Sequence, residues 1–248
     1  MGEDSKMFGY QILFMKEWVA DTDEKKMEYR DKMMAWIKEC CMEVVYVGPA
    51  HAFYETAKKC PPNMFVGKYE SLQAAKDAME KIPDRTEYVK RSMRVIEGPG
   101  DLFQKGHAYW IAQIETIHGD GSKWAKYFQA FGEANTSGFN CKYPDGNTKP
   151  VQLNLKNVSG STFYDDSKVG TGNAFIPGTE ITDDKGLVII AEFPDCESGL
   201  LIHDAPEYKG SLLASLDMEY TNEEEWEKAE VRILAEVVER DIRIFKYE

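Results

Sequence analysis

The sequence predicts an α+β protein built from two β-α-β-β-α-β repeats, and three observations predict it. Lys185 to Tyr208 (KGLVIIAEFPDCESGLLIHDAPEY) reads as a buried strand, a Pro turn, a helix and an Asp-Ala-Pro-Glu-Tyr punctuation. Asn63 to Tyr88 (NMFVGKYESLQAAKDAMEKIPDRTEY) is a weaker copy of that unit. Tyrosines also recur at matching places, Tyr10 with Tyr109 in the opening strands and Tyr29 with Tyr127 in the helices after them.

The first repeat is expected over residues 1–105. Residues 8–19 (FGYQILFMKEWV) are β-branched and aromatic, as a strand requires. Asp21-Thr22-Asp23-Glu24 is a capping-box signature, and the helix after it sets Met27, Met34, Ile37 and Cys41 on one side as a core stripe. Residues 43–47 (EVVYV) form a second strand closed by Gly48-Pro49, and the prolines of AKKCPPN (57–63) impose a loop. MFVGKY (64–69) is the third strand. Ser71 caps a helix that carries Ala75, Met79 and Ile82. Pro83 disturbs that helix, a second helical piece is expected from Tyr88 to Arg94, and Asp101-Leu102-Phe103 supplies a short last strand. The order is that of the ferredoxin-like split unit.

The second repeat is expected over residues 106–248. HAYWIAQIETI (107–117) is its first strand, with Tyr109, Ile111 and Gln113 on one face and Trp110, Ala112 and Ile114 on the other. A helix from Ser122 to about residue 133 carries Trp124, Tyr127, Phe128 and Phe131. An insertion rich in Gly, Asn, Asp and Thr follows, about 139–184, in which VQLNLKNV (151–158) alternates like a strand. Its length suits an extra hairpin, an interaction arm or a lid. After the strand and helix of Lys185–Tyr208 comes an added helix, about 223–238, capped by Asn222 with Glu225 and carrying Trp226, Ala229, Ile233 and Val237. DIRIFKY (241–247) closes the repeat and is matched to Asp101-Leu102-Phe103 of the first.

Bulk properties narrow the function. The 248 residues are 43% hydrophobic and 12% aromatic, enough to fill a core. Acidic residues number 43 against 30 basic, for a net charge of −13, and the only basic cluster is Lys90, Arg91 and Arg94. Nucleic acid and anionic membranes are therefore poor partners. No apolar run reaches the length of a membrane span, so no membrane insertion is expected, and MGEDSKMFGY is too polar for a signal peptide. Gly2 sits in a myristoylation context spoiled by Glu3 and Asp4. The five cysteines (Cys40, Cys41, Cys60, Cys141, Cys196) are odd in number and form no C-x-x-C, which argues for an intracellular reducing compartment, cytoplasmic or organellar, and against a zinc site.

Several segments resemble one family. AYWIAQIE (108–115), VIIAEFPDCESGLLIHDAPEYKGSLLAS (188–215) and ERDIRIFKYE (239–248) are similar to the opening strand, the strand-turn-helix segment and the closing strand of the domain-of-unknown-function 1330 family. The first half is similar in pattern only, through Tyr10, Tyr29, Tyr69-Glu70-Ser71-Leu72 and Tyr88. The resemblance implies a dimeric α+β barrel: four-stranded antiparallel sheets with helices on one face, packed face to face. In a tandem chain the pair would form within one molecule, as a pseudo-dimeric barrel. Related barrels include cofactor-independent oxygenases, lactone isomerases and haem-binding proteins. The chain departs from the family where members carry an "R-G-G"-like turn after the second strand. Val47-Gly48-Pro49 stands there in the first repeat and Lys142-Tyr143-Pro144 in the second, and Glu192 is matched by Lys68.

The acid/base candidates are Glu192 and His203, because a carboxylate oriented near an imidazole can move a proton. Tyr10, Tyr109, Trp110 and Tyr208 are candidates for lining a ligand pocket, with burial in the core as the plainer role. His51, His107 and His118 have no companions at ligand spacing, so no metal is expected. No cofactor is expected either, although a haem would need only one well-placed His and stays open. Two functions compete. The first is a non-catalytic scaffold or assembly subunit, with a protein partner or self-association, motivated by the duplication, the insertion and the degenerate polar positions. The second is a cofactor-independent small-molecule enzyme or ligand binder, with a partly polar pocket near Glu192, Tyr109 and Tyr208.

Overall fold

The computed structural model describes residues 6–53, 63–83, 88–165 and 187–248. The chain divides into two compact units, Met1–Gln104 with Asn157–Asp184 and Tyr247, and Lys105–Lys156 with Lys185–Lys246 and Glu248. Each is α+β with an antiparallel sheet.

In the first unit β1 (Met7–Trp18) leads into α1 (Asp23–Cys40), β2 (Glu43–Pro49) and β3 (His51–Phe53). Then come β4 (Asn63–Tyr69), α2 (Leu72–Glu80) and β5 (Val89–Pro99). Hydrogen bonding orders β5, β1, β4 and β2 side by side, the ferredoxin-like arrangement. Both helix starts follow from local chemistry. The Thr22 hydroxyl accepts from the Lys25 amide and the Ser71 hydroxyl from that of Ala74. Gly9 is required where β1 passes beneath α2, because a Cβ there would stand 2.2 Å from the Ser71 carbonyl oxygen.

Two expectations for this unit are corrected. Residues 89–99 are a strand, not a helical piece ending at Arg94, and Asp101-Leu102-Phe103 is not a strand. β5 is buried on both faces, so its residues do not alternate between apolar and polar. Arg91, Ser92 and Arg94 are all fully buried, and charges that read as a solvated helix belong to the sheet interior. On α1 the buried side is Tyr29, Met33, Trp36 and Ile37; Met27 is 64% and Met34 46% exposed. The bulkier i, i+4, i+7, i+8 set faces the sheet, turned away from the stripe expected from the methionines.

In the second unit β6 (Ala108–Ile117) is followed by α3 (Ser122–Ser137), then the hairpin of β7 (Phe139–Lys142) with β8 (Thr148–Val151), and then β9 (Asn154–Lys156). After β10 (Ser159–Asp165) the described chain resumes at β11 (Leu187–Phe193). It continues through α4 (Cys196–Ile202), α5 (Pro206–Leu213) and α6 (Glu223–Glu236) to β12 (Val238–Lys246). The neighbours here run β12, β6, β11, β9, the same order as in the first unit. β9 therefore fills the place of the second strand, where the sequence put the segment ending at Lys142-Tyr143-Pro144. Asp-Ala-Pro-Glu-Tyr is not mere punctuation: Pro206 opens α5, where its missing N–H costs nothing. β10 pairs with the outer edge of β5, so part of the segment read as an insertion becomes an edge strand of the first sheet.

Candidate functional site

A cavity of about 690 Å³ lies in the first unit between α1 and the sheet. Its floor is Leu13 and Met15 of β1 with Phe65 of β4, its wall is Tyr29, Met33 and Ile37 of α1, and Trp18, Val47 and Met64 also line it. Both periodicities converge here, the strand residues alternating onto one face and the helix residues recurring at 3.6. Trp36 stands beside this space with its ring 5.9 Å from Phe65, and its indole N–H donates to the Ala78 carbonyl at 3.1 Å, tying α1 to α2. At the mouth are Asp23, Lys26, Arg30 and Asn63, with Met27 and Met34. Lys26 pairs with Asp23 at 3.2 Å, whereas Arg30 has no ion pair among the described residues.

One charged group is buried behind the wall. Arg91 is fully buried on β5, cross-strand from Met15. It donates to the Tyr29 hydroxyl at 2.8 Å and to the Met33 sulfur at 3.4 Å. A guanidinium held out of water needs such partners. Arg91 thereby fixes two of the residues that shape the cavity.

The second unit repeats this pair. Arg240 stands on β12 opposite Ile114, and its guanidinium carbon is 5.9 Å from the Tyr127 ring, the distance Arg91 keeps from Tyr29. Burial raises the Tyr127 phenol, as does the nearby Tyr208, while Arg240 opposes the shift. Each arginine is followed three residues later by another, Arg94 and Arg243, opposite Ile12 and Ile111. Arg243 pairs with Asp241 at 3.2 Å, both wholly buried. The last strands RSMRVI and RDIRIF are thus equivalents. Aligning them would have revealed both arginine pairs, but the closing strand was matched to Asp101-Leu102-Phe103 instead.

Glu192 and His203 are not brought together. Glu192 lies opposite Tyr109 in the β11–β6 pair and shares its face. His203, the C-cap of α4, packs 5.9 Å from the ring of Tyr208, which in turn packs on Trp110, and Trp110 belongs to the other face of β6. Burial lowers the His203 imidazole and so favours the neutral ring, against the opposing pull of Asp204. Glu192 has other partners: His107, Lys156 and, at 3.2 Å, the Asn154 amide. Burial would raise its carboxyl, but the hydrogen bonds from Lys156 and His107 win and hold it below the ordinary range.

The aromatic candidates are packed side chains. Tyr10 is buried and donates to the Pro99 carbonyl at 2.6 Å. Tyr109 stacks on Phe245 and Trp110 on Phe193, while Tyr208 sits among Trp110, Phe131 and Phe139. None of the four lines the cavity in the first unit. Tyr109 and Tyr208 are both fully buried, and Glu192 keeps its hydrogen-bond partners at the strand edge. Among the described residues no group of three or more His, Cys, Asp or Glu is placed to hold a metal, and no helix is long and apolar enough to cross a membrane.

No family model matches the chain, and no curated protein matches it. Among solved structures it is similar to a proposed monooxygenase from Lactobacillus acidophilus NCFM at 12% identity, covering 96% of this chain and 92% of that one, with a TM-score of 0.31. It is also similar to chlorite dismutase from Candidatus Nitrospira defluvii at 9% identity, covering 84% of each chain, with a TM-score of 0.35. A variant of DypB from Rhodococcus jostii RHA1 in complex with haem shares 10% identity, covers 99% of this chain and 94% of that one, and has a TM-score of 0.36. Similarity this low carries no function across, so function rests on the chain's own residues.

Proposed function

We propose that the protein binds a small apolar molecule in the cavity between α1 and the first sheet. The observation that carries this is the cavity itself. At about 690 Å³, with mainly apolar walls and a few polar groups, it has the size and character of a small-molecule site. Arg91 supports the reading by holding Tyr29 and Met33 in place, as a preformed site needs. The resemblance to the domain-of-unknown-function 1330 family is compatible with this function and rests on the motifs quoted above.

Native mass spectrometry of the protein purified from its own cells tests the reading, together with calorimetric titration of 2-naphthalenemethanol as a defined apolar probe. Leu13→Trp fills the floor and is expected to abolish binding while the far-ultraviolet circular dichroism stays unchanged. Absence of both a co-purifying small molecule and probe binding would defeat the proposal, as would full binding by the filled variant.

A scaffold or assembly role comes second. It is favoured by β2, an edge strand that leaves Val44 39% and Val47 48% exposed. Its check is sedimentation velocity over a hundredfold concentration range: a single unchanging monomer speaks against self-assembly.

A further inference from the structure

The cavity has a charged mouth and a soft, aromatic interior, and the two together define a ligand class. Five methionines (Met15, Met27, Met33, Met34 and Met64) line it beside aromatic rings that include Phe65. Thioethers are polarisable and make favourable contacts with aromatic rings, so these walls prefer a flat aromatic body to a saturated chain. Arg30 gives the mouth a cation with no partner among the described residues, one helical turn beyond Lys26. Lys26 is already engaged by Asp23.

We infer that the ligand is an aromatic acid, with its rings against the methionines and its carboxylate at Arg30. This rests on the reading of the cavity as a small-molecule site. Arg30 is the specificity-determining residue, because a carboxylate can accept from its guanidinium in two parallel hydrogen bonds that neither an alcohol nor an amine can match. Lys26, paired with the exposed Asp23, is the lesser cation at the mouth.

The test is calorimetric titration of the full chain with 2-naphthoate, 2-naphthalenemethanol, 2-naphthylmethylammonium and dodecanoate. The acid is expected to bind about fivefold or more tighter than the alcohol, the ratio an exposed-to-half-buried charge pair supports, and the ammonium weakest of the three. Arg30→Gln is expected to bring the acid down to the alcohol and to leave the alcohol unchanged. Since Arg30 is exposed, the variant keeps the fold. Equal binding of acid and alcohol, or an acid preference that survives Arg30→Gln, overturns the inference and leaves the cavity reading standing. Dodecanoate binding as tightly as 2-naphthoate overturns the aromatic part of it. Failure of all four probes removes the cavity reading, and the inference with it.

Discussion

Arg91 and Arg240 hold one position twice: each guanidinium carbon lies 5.9 Å from the ring of the tyrosine on its unit's first helix, Tyr29 in one and Tyr127 in the other. A cation in a sheet interior is costly, so its retention in both units implies that each arginine organises the layer between helix and sheet. The surroundings of the two pairs differ: the first lies beside the cavity, and the second has Tyr208 and its aromatic neighbours packed near it.

Removing the hydroxyl that Arg91 donates to should be expensive. Tyr29→Phe is expected to lower stability by about 1–3 kcal/mol, the cost of leaving a buried charged donor without an acceptor. Urea denaturation followed by tryptophan fluorescence measures it, and a change below the error of the midpoint would show that the Tyr29 hydroxyl does not support Arg91.

Acid sensitivity should trace in part to Glu192. Its carboxyl is depressed below the ordinary 4.5 in the folded protein, where Lys156 and His107 hydrogen-bond it. A depressed carboxyl contributes stability that is present above its unfolded value and is lost as pH falls through the folded one. Glu192→Gln is therefore expected to be less stable than the parent at pH 7 and to show a flatter fall in stability below about pH 4.5. Thermal melts from pH 3 to 7 check it, and parallel curves for the two proteins would rule the role out.

Two glycine substitutions should move stability in opposite directions. Gly9→Ala drives a Cβ against the Ser71 carbonyl oxygen and the Ala75 side chain, and is expected to cost about 3 kcal/mol or more. Gly132→Ala has open space around it inside α3 and should stabilise by about 0.5–1 kcal/mol. The urea midpoints of the two variants settle both signs.

The buried thiols should be unreactive. Burial pushes the thiols of Cys41 and Cys141 up to about 11, and Cys141 is fully buried. At pH 7.5 iodoacetamide is expected to spare Cys141 in the folded protein and to alkylate it in urea, as peptide mass spectrometry would report. Rapid alkylation under native conditions would mean that α4 and the β7–β8 hairpin open readily.

What the sequence made legible was local. Thr22, Ser71 and Asn222 cap the helices that their side chains announce, and LVIIAEF is a strand because its composition allows little else. What it concealed depends on distant partners. Met27 and Met34 read as core because nothing nearby in sequence says that Tyr29, Met33 and Trp36 claim the sheet first. RSMR read as a helical piece because Arg91 finds its partners, Tyr29 and Met33, on α1, some 60 residues away. The cavity was invisible for the same reason. It is a gap left between two elements, and a gap has no sequence of its own. Glu192 was visible as a polar residue in an apolar strand, yet its partners proved to be His107 and Lys156, not His203.

The pairing of β10 with β5 bears on how the chain is made. β5 ends at Pro99, but the strand that covers its outer edge spans Ser159–Asp165. During synthesis the first sheet must wait, with that edge open, while β6, α3 and the β7–β8 hairpin are translated. An open edge is a template for pairing with another chain. A polypeptide cut after Gln104 would keep that edge open and is expected to self-associate through it.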